Sequence, residues 1–257
     1  MINDSALRSV QIEWTIDQEF MGLDNNQVDF MQVLDKALEV SGLHDQQLQQ
    51  QLNTQFIKKN QSWVITQYEI NIFDELTLGD TIQIDTRLVE VNRFFCSRRY
   101  SVMKQDQVVC EIYGKFAAID LEKRRIVRIN PEPLVAGNII DPNYKVDFSK
   151  LTVNSDDMDG QSLQVPITEA DIDENSHVNN LSYLRWVYNY LPTEIADQYQ
   201  AVKIEVKYEK ELLPEDKVLL KNNLDNFDHL ESQHLIWNQT NKQLACILNI
   251  KWKERSL

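Results

Sequence analysis

Two stretches of this chain repeat one another, and that limits its fold more than any other feature. Tyr68-Glu69-Ile70, Glu75-Leu76 and Asp80 match Ile204-Glu205-Val206, Glu211-Leu212 and Asp216 at an offset of 136, and the same offset pairs Gln107, Cys110 and Lys115 with Gln243, Cys246 and Lys251. The ungapped block 67–116 against 203–252 holds eight identities, while turn residues and apolar strands stay in phase. Upstream, Ser9-Val10-Gln11-Ile12 matches Ser162-Leu163-Gln164-Val165 at offset 153, and Asp24-Asn25-Asn26-Gln27-Val28-Asp29 matches Glu174-Asn175-Ser176-His177-Val178-Asn179 at offset 150. The pattern points to a duplicated unit.

Each copy reads as strand, turn, helix, then a run of strands. Phe30, Val33, Leu34, Ala37 and Leu38 form one apolar stripe at helical spacing, predicting a helix over 29–41. Leu181, Leu184, Val187, Tyr188 and Leu191 form the other. Alternating Val, Ile, Tyr and Phe predict strands at 62–73, 81–91, 94–103 and 107–120, and again at 201–209, 217–223, 232–238 and 243–252. One helix followed by sequential strands implies an antiparallel sheet packed on that helix, an α+β fold. Residues 129–160, with Pro131, Pro133, Gly137, Pro142 and Gly160 and the acidic run Asp156 to Asp159, read as a linker whose Val135, Ile139, Ile140, Tyr144 and Phe148 can dock on a neighbouring surface. The expected organisation is 1–130, a linker over 131–160, and 161–257. Glutamines around Gln46–Gln55 are expected on a solvated helix face.

At 257 residues and 42% hydrophobic, the chain can bury a sizeable core. A net charge of −14 makes nucleic acid and anionic membrane poor partners. No apolar run reaches membrane-spanning length and the first residues carry no basic-then-apolar leader pattern, so the expected location is cytoplasmic. Cys96, Cys110 and Cys246 give no disulfide framework, which suits a reducing compartment, and Cys110 and Cys246 read as packed strand residues.

The densest polar cluster is Asp171-Ile172-Asp173-Glu174-Asn175-Ser176-His177-Val178-Asn179-Asn180, leading straight into the second apolar helix. If extended, positions 171, 173, 175 and 177 would share one face, next to a helix N-terminus that favours developing negative charge. A calcium loop is excluded by Ser176 at its sixth position and Ser182 at its twelfth, and His44, His229 and His234 have no zinc-ligand spacing to His177, so no metal is expected. Asp173, Asn175 and Asn179 also read as caps and turn formers. The first copy has Gln27 opposite His177, so the histidine is an addition beyond capping. Glu211 has a counterpart in Glu75, which leaves a shared turn role open for both.

Asp173-x-Asn175-x-His177-Val178-Asn179-Asn180, followed by Tyr183, Trp186 and then Tyr208-x-x-Glu211, resembles the fatty acyl-[acyl-carrier-protein] thioesterases of plants and bacteria over nearly the whole chain. The resemblance implies a tandem hotdog: two central helices against a continuous antiparallel sheet, with acyl-chain selection in the N-terminal copy and catalysis in the C-terminal one. It implies that Asn175 and His177 polarise the thioester carbonyl, that Asp173 orients them, and that Glu211 activates water, with no cofactor. Where the plant pattern has a Cys after the Glu, this chain has Leu212, which leaves water as the attacking group. The implied partner is an acyl carrier protein, itself acidic, so a local basic surface from Arg93, Arg98, Arg99 or Lys123 to Arg128 would have to steer it. Acyl-CoA hydrolysis and non-catalytic acyl binding remain alternatives, and a double hotdog is compatible with a monomer or a homodimer.

Overall fold

A computed structural model describes residues 8–21, 28–55, 57–140, 143, 145–153 and 162–255. Gln27, Asp24 to Asn26, Pro142, Tyr144 and the run Asp156 to Gly160 fall outside the described residues. The chain divides into two units, 1–66 with 70–148, and 67–69 with 149–257.

In the first unit, β1 (Val10–Thr15), β2 (Gln61–Ile72), β3 (Thr81–Val91), β4 (Phe95–Lys104) and β5 (Gln107–Asp120) lie in the order β1-β3-β4-β5-β2. Antiparallel registers such as Ile12↔Ile84, Ile84↔Val102 and Tyr100↔Ile112 align apolar side chains across the strands. A short β6 (Arg125–Ile126) pairs with β5.

Helix α1 (Phe30–Gln51) packs on β1 and β3. Asp29 caps it by accepting a hydrogen bond from Met31 N at 2.9 Å. The helix continues a further ten residues past the expected end at 41 because His44 and Leu48 extend the buried stripe of Val33, Leu34, Ala37 and Val40, while Gln46, Gln47 and Gln50 face solvent. Asn53, at φ 45°, takes up the left-handed conformation just beyond its end.

In the second unit, β7 (Leu163–Val165), β8 (Tyr199–Tyr208), β9 (Val218–Asn223), β10 (Glu231–Asn238) and β11 (Gln243–Glu254) lie in the order β7-β9-β10-β11-β8. This is the first unit's topology strand for strand, β1 to β5 mapping onto β7 to β11. The duplication extends to individual turn bonds. Phe73 N and Asp74 N donate to Val109 O, and Glu209 N and Lys210 N donate to Ala245 O. Likewise Thr77 N donates to Asp80 Oδ2 at 2.8 Å and Leu213 N to Asp216 Oδ2 at 2.9 Å.

The second apolar stripe forms α3 (Asn180–Asn189), which stops early because Pro192 follows and begins a separate α4 (Thr193–Gln198). Tyr183 of α3 packs edge-on against Tyr208 at 5.4 Å and beside Trp186 at 5.5 Å, and Tyr68 meets Tyr208 at 6.3 Å, so aromatic rings seat the helix on its sheet.

The linker-like composition conceals a docked segment. Within 129–148, α2 (Glu132–Ala136) and the residues after it bury Leu134, Ile139 and Ile140 against Leu48, Leu88 and Cys96. Val135, expected to dock, is exposed instead, and Lys115 Nζ lies 5.7 Å from the Phe148 ring centroid. In the second unit Leu151 joins Leu235 and Ile247. The three cysteines are free and buried, and burial raises the thiol pKa of each.

Candidate functional site

The cluster at 171–180 does not run as an extended segment with its polar side chains on one face. It folds into a closed loop between a 3-10 turn (Glu169–Asp171) and α3, bridged by Ile172 and Val178 in antiparallel pairing. Asp173 N donates to His177 O at 2.8 Å and Ser176 N to Asp173 O at 3.0 Å. The turn forces Ser176 to φ 62°. Asp171 therefore points away from the other polar groups and is buried, whereas Asn175 stands exposed at the loop tip.

The Asp173 carboxylate folds back on its own loop. Its Oδ1 accepts from Asn175 N at 2.8 Å and His177 N at 3.1 Å. Any orientation it gives Asn175 and His177 passes through these backbone amides, the bonding that its alternative reading as a turn former anticipates. Asn179 caps α3, its Oδ1 accepting from Leu181 N at 2.8 Å.

Glu211 enters from the turn after β8. Val178 N donates to Leu212 O at 2.9 Å, tying that turn to the loop, and His177 Nε2 lies 3.9 Å from Glu211 Oε2. His177 is mostly shielded, with 19% of its side chain exposed, while Glu211 at 48% remains open to water. A hydrated carboxylate beside a half-enclosed imidazole at a helix N-terminus can accept a proton from water while N–H donors face a developing oxyanion.

The first copy builds the same junction. Met21 and Val28 bridge as Ile172 and Val178 do, and Asp29 N donates to Phe20 O at 2.6 Å as Asn179 N donates to Asp171 O at 2.7 Å. Asp29 caps α1 as Asn179 caps α3. Glu75 sits in a turn of matching bonds to that of Glu211, in which Asp80 and Asp216 accept the equivalent backbone bonds.

Asp171 is the residue whose place the periodic reading missed. Its signal was the spacing Thr168-x-x-Asp171, a capping box that turns the carboxylate inward.

The first unit contains a cavity of about 170 Å³ between α1 and the strands, lined in part by Leu38, Gly42, Trp63, Leu88 and Phe116. Arg98, expected on a basic surface, is only 3% exposed. It donates to His44 Nδ1 at 3.0 Å and pairs with Asp45, whose attraction raises the guanidinium pKa against the opposing effect of burial. Arg99 is committed to Glu111 at 2.7 Å. Arg93, Lys123, Arg124, Arg125 and Arg128 are exposed, and the bond from Ile129 N to Arg93 O at 2.8 Å brings the segment after Arg128 to Arg93. Among the described residues, no group of three His, Cys, Asp or Glu side chains is placed to hold a metal ion, and no helix is long and apolar enough to cross a membrane.

Comparison with known proteins agrees in both copies. The family model for the acyl-ACP thioesterase N-terminal domain matches residues 10–136 and that for the C-terminal domain matches 154–254. A palmitoyl-acyl carrier protein thioesterase of Gossypium hirsutum is 26% identical over 164 residues, 60% of this chain and 39% of that protein. A counterpart from Arabidopsis thaliana is 25% identical over 201 residues, 71% of this chain and 48% of that one. The chain thus spans less than half the length of these chloroplastic relatives.

Among solved structures, an acyl-ACP thioesterase from Bacteroides thetaiotaomicron superimposes with a TM-score of 0.80 at 17% identity, covering 98% of this chain and 100% of that one. The 12:0-ACP thioesterase from Umbellularia californica gives 0.81 at 16% identity, covering 96% and 98%. These likenesses show the fold, an α+β tandem hotdog. With both domain models matched in order along the chain, this protein belongs to the acyl-ACP thioesterase family.

Proposed function

We propose that this chain hydrolyses the thioester of fatty acyl chains borne on acyl carrier protein and releases the free acid. The observation that carries this reading is the meeting of His177 Nε2 and Glu211 Oε2 at 3.9 Å beside the N-terminus of α3. Glu211 takes a proton from water as its oxygen attacks the thioester carbonyl carbon. His177, Asn175 and the amides that open α3 stabilise the oxyanion, and its collapse expels the carrier's sulfur, which takes the proton held by Glu211 and leaves as the thiol. Leu212 is fully buried and supplies no nucleophile, consistent with direct attack by water.

The cavity of the first unit takes the acyl chain in this reading. A Cβ added at Gly42 meets nothing within 4 Å, so Gly42 in mid-helix preserves open space at the cavity rim. Gly42→Leu is expected to stabilise the fold by roughly 0.5 kcal/mol through helix propensity. It should also lower kcat/KM for long acyl chains about tenfold relative to short ones. Thermal unfolding and a chain-length series check both, and unchanged relative rates would remove the acyl chain from this cavity.

The exposed cations Arg93, Lys123, Arg125 and Arg128, with exposed Phe94, Leu121 and Ile126 near them in sequence, offer an acidic carrier a local partner despite the net charge of −14. The three free, buried thiols fit a reducing, cytoplasmic setting. Steady-state hydrolysis of matched acyl-carrier and acyl-CoA series tests the assignment. Preference for the carrier, lost on reversing Arg125 and Arg128 to Glu, is expected. Equal or better use of acyl-CoA would make the carrier wrong, and cleavage of neither would leave an acyl-binding protein whose polar loop only caps a helix.

A further inference from the structure

We propose that Asp171 is a positioning residue for this hydrolysis, fixing the loop that bears Asn175 and His177 to one face of α3. The proposal rests on the hydrolytic reading above. Asp171 O accepts from Asn179 N at 2.7 Å and from Ser182 Oγ at 3.4 Å, and Asp171 Oδ1 accepts from Trp186 Nε1 at 3.1 Å. Positions 179, 182 and 186 follow one another at helical spacing, so a single residue grips the cap, first turn and second turn of α3 along one stripe. Its other oxygen, Oδ2, accepts from Thr168 N at 2.9 Å and Thr168 Oγ1 at 2.8 Å, anchoring the chain before the loop.

The duplicate shows that the fold does not require this carboxylate. In the first copy the equivalent backbone bond, Asp29 N to Phe20 O, is made by a buried phenylalanine. A carboxylate only 6% exposed and hydrogen-bonded by neutral donors is costly where an apolar side chain serves. In the second copy the loop places Ser176, at φ 62°, between Asn175 and His177. Non-glycine residues hold such a conformation only where their surroundings over-determine it. Asp173 bonds the loop from within, through Ser176 N, Asn175 N and His177 N, and Asp171 ties the base of that loop to α3 through Asn179 and Trp186. Loosening that tie lets the loop relax and carries His177 away from Glu211.

The test compares Asp171→Ala, Asp171→Asn and, as a first-copy control, Phe20→Leu. Asp171→Ala should lower kcat on the best acyl-carrier substrate about a hundredfold with KM within threefold, as expected for misplacement by about an ångström. Asp171→Asn, which can still accept from Trp186, should lose less, and Phe20→Leu should retain full kcat. The amides of His177, Val178 and Asn179 should exchange with deuterium at least tenfold faster in Asp171→Ala while those of β10 and β11 keep their rates. An unaltered kcat, a displaced pH–rate profile indicating a charge effect on His177, or exchange rising equally throughout the second unit would each overturn the proposal. If the wild-type protein cleaves no thioester, the hydrolytic reading fails by itself, and the exchange pattern alone decides whether Asp171 fixes the loop.

Discussion

His177→Ala and Glu211→Ala are each expected to lower kcat/KM for acyl-carrier substrate by roughly 10²- to 10⁴-fold, while the unfolding midpoint moves little. The size follows from the two roles proposed for them. Removing a general base, or one donor to a developing oxyanion, costs factors in this range. Small effects on folding follow from the geometry. The turn bearing Glu211 is held by Asp216 and Ala245, and the loop bearing His177 by Asp171, Asp173 and the pairing of Ile172 with Val178, none of which uses the two side chains in question. Glu75→Ala provides an internal control in a turn of the same bonding and should leave turnover nearly intact. Steady-state kinetics with thermal unfolding on all three variants checks this. If Glu75→Ala abolished turnover as fully as Glu211→Ala, the chemistry would not belong to the second copy alone.

Acidification should destabilise the fold through His234. This residue is fully buried at the centre of a hydrogen-bonded chain: Trp252 Nε1 donates to Ser232 Oγ at 2.8 Å, Ser232 Oγ donates to His234 Nε2 at 2.8 Å, and His234 Nδ1 donates to Asn222 Oδ1 at 2.9 Å. Such a chain requires the neutral imidazole, and burial lowers the His234 pKa to about 3. Because the folded pKa lies below the unfolded value of about 6.5, only the unfolded chain takes up the proton between those two pH values. Stability from this group is complete above pH 6.5 and falls as pH drops toward 3, by about 2 kcal/mol at pH 5. Urea unfolding at pH 7, 6 and 5 should show this loss in the wild type and a shallower dependence in His234→Gln. Equal slopes in the two proteins would rule out His234 as the source.

How much was legible in the sequence differs between strands and site. The alternation of buried and exposed residues in β3, with Ile82, Ile84, Thr86 and Leu88 inside, is a direct consequence of the pleat, and strand limits follow it closely. Helix ends were harder, since α1 runs to Gln51 through glutamines that carry no apolar signal, whereas α3 is cut short near Pro192. The docking of Leu134, Ile139 and Ile140 was hidden by a proline-rich composition that reads as linker. At the site, the resemblance grouped Asp173, Asn175, His177 and Glu211, whereas the common face expected for positions 171, 173, 175 and 177 depended on an extended backbone that the chain does not adopt. The left-handed Ser176 and the inward capping box at Thr168 and Asp171 turned that segment into a loop.

By itself, then, the sequence determined that two copies of one unit exist, the main helix and long strands of each, and which copy carries the histidine. These properties depend on periodicity and on residue identity, both local. Only the tertiary structure decided that Glu211 reaches His177, that Arg98 is buried against Asp45 instead of facing a partner, and that Asp171 grips α3. The first two depend on which segments meet across tens of residues, set by sheet register and turn closure, and the third on how a loop closes onto the helix after it. Neither leaves a periodic trace in the chain.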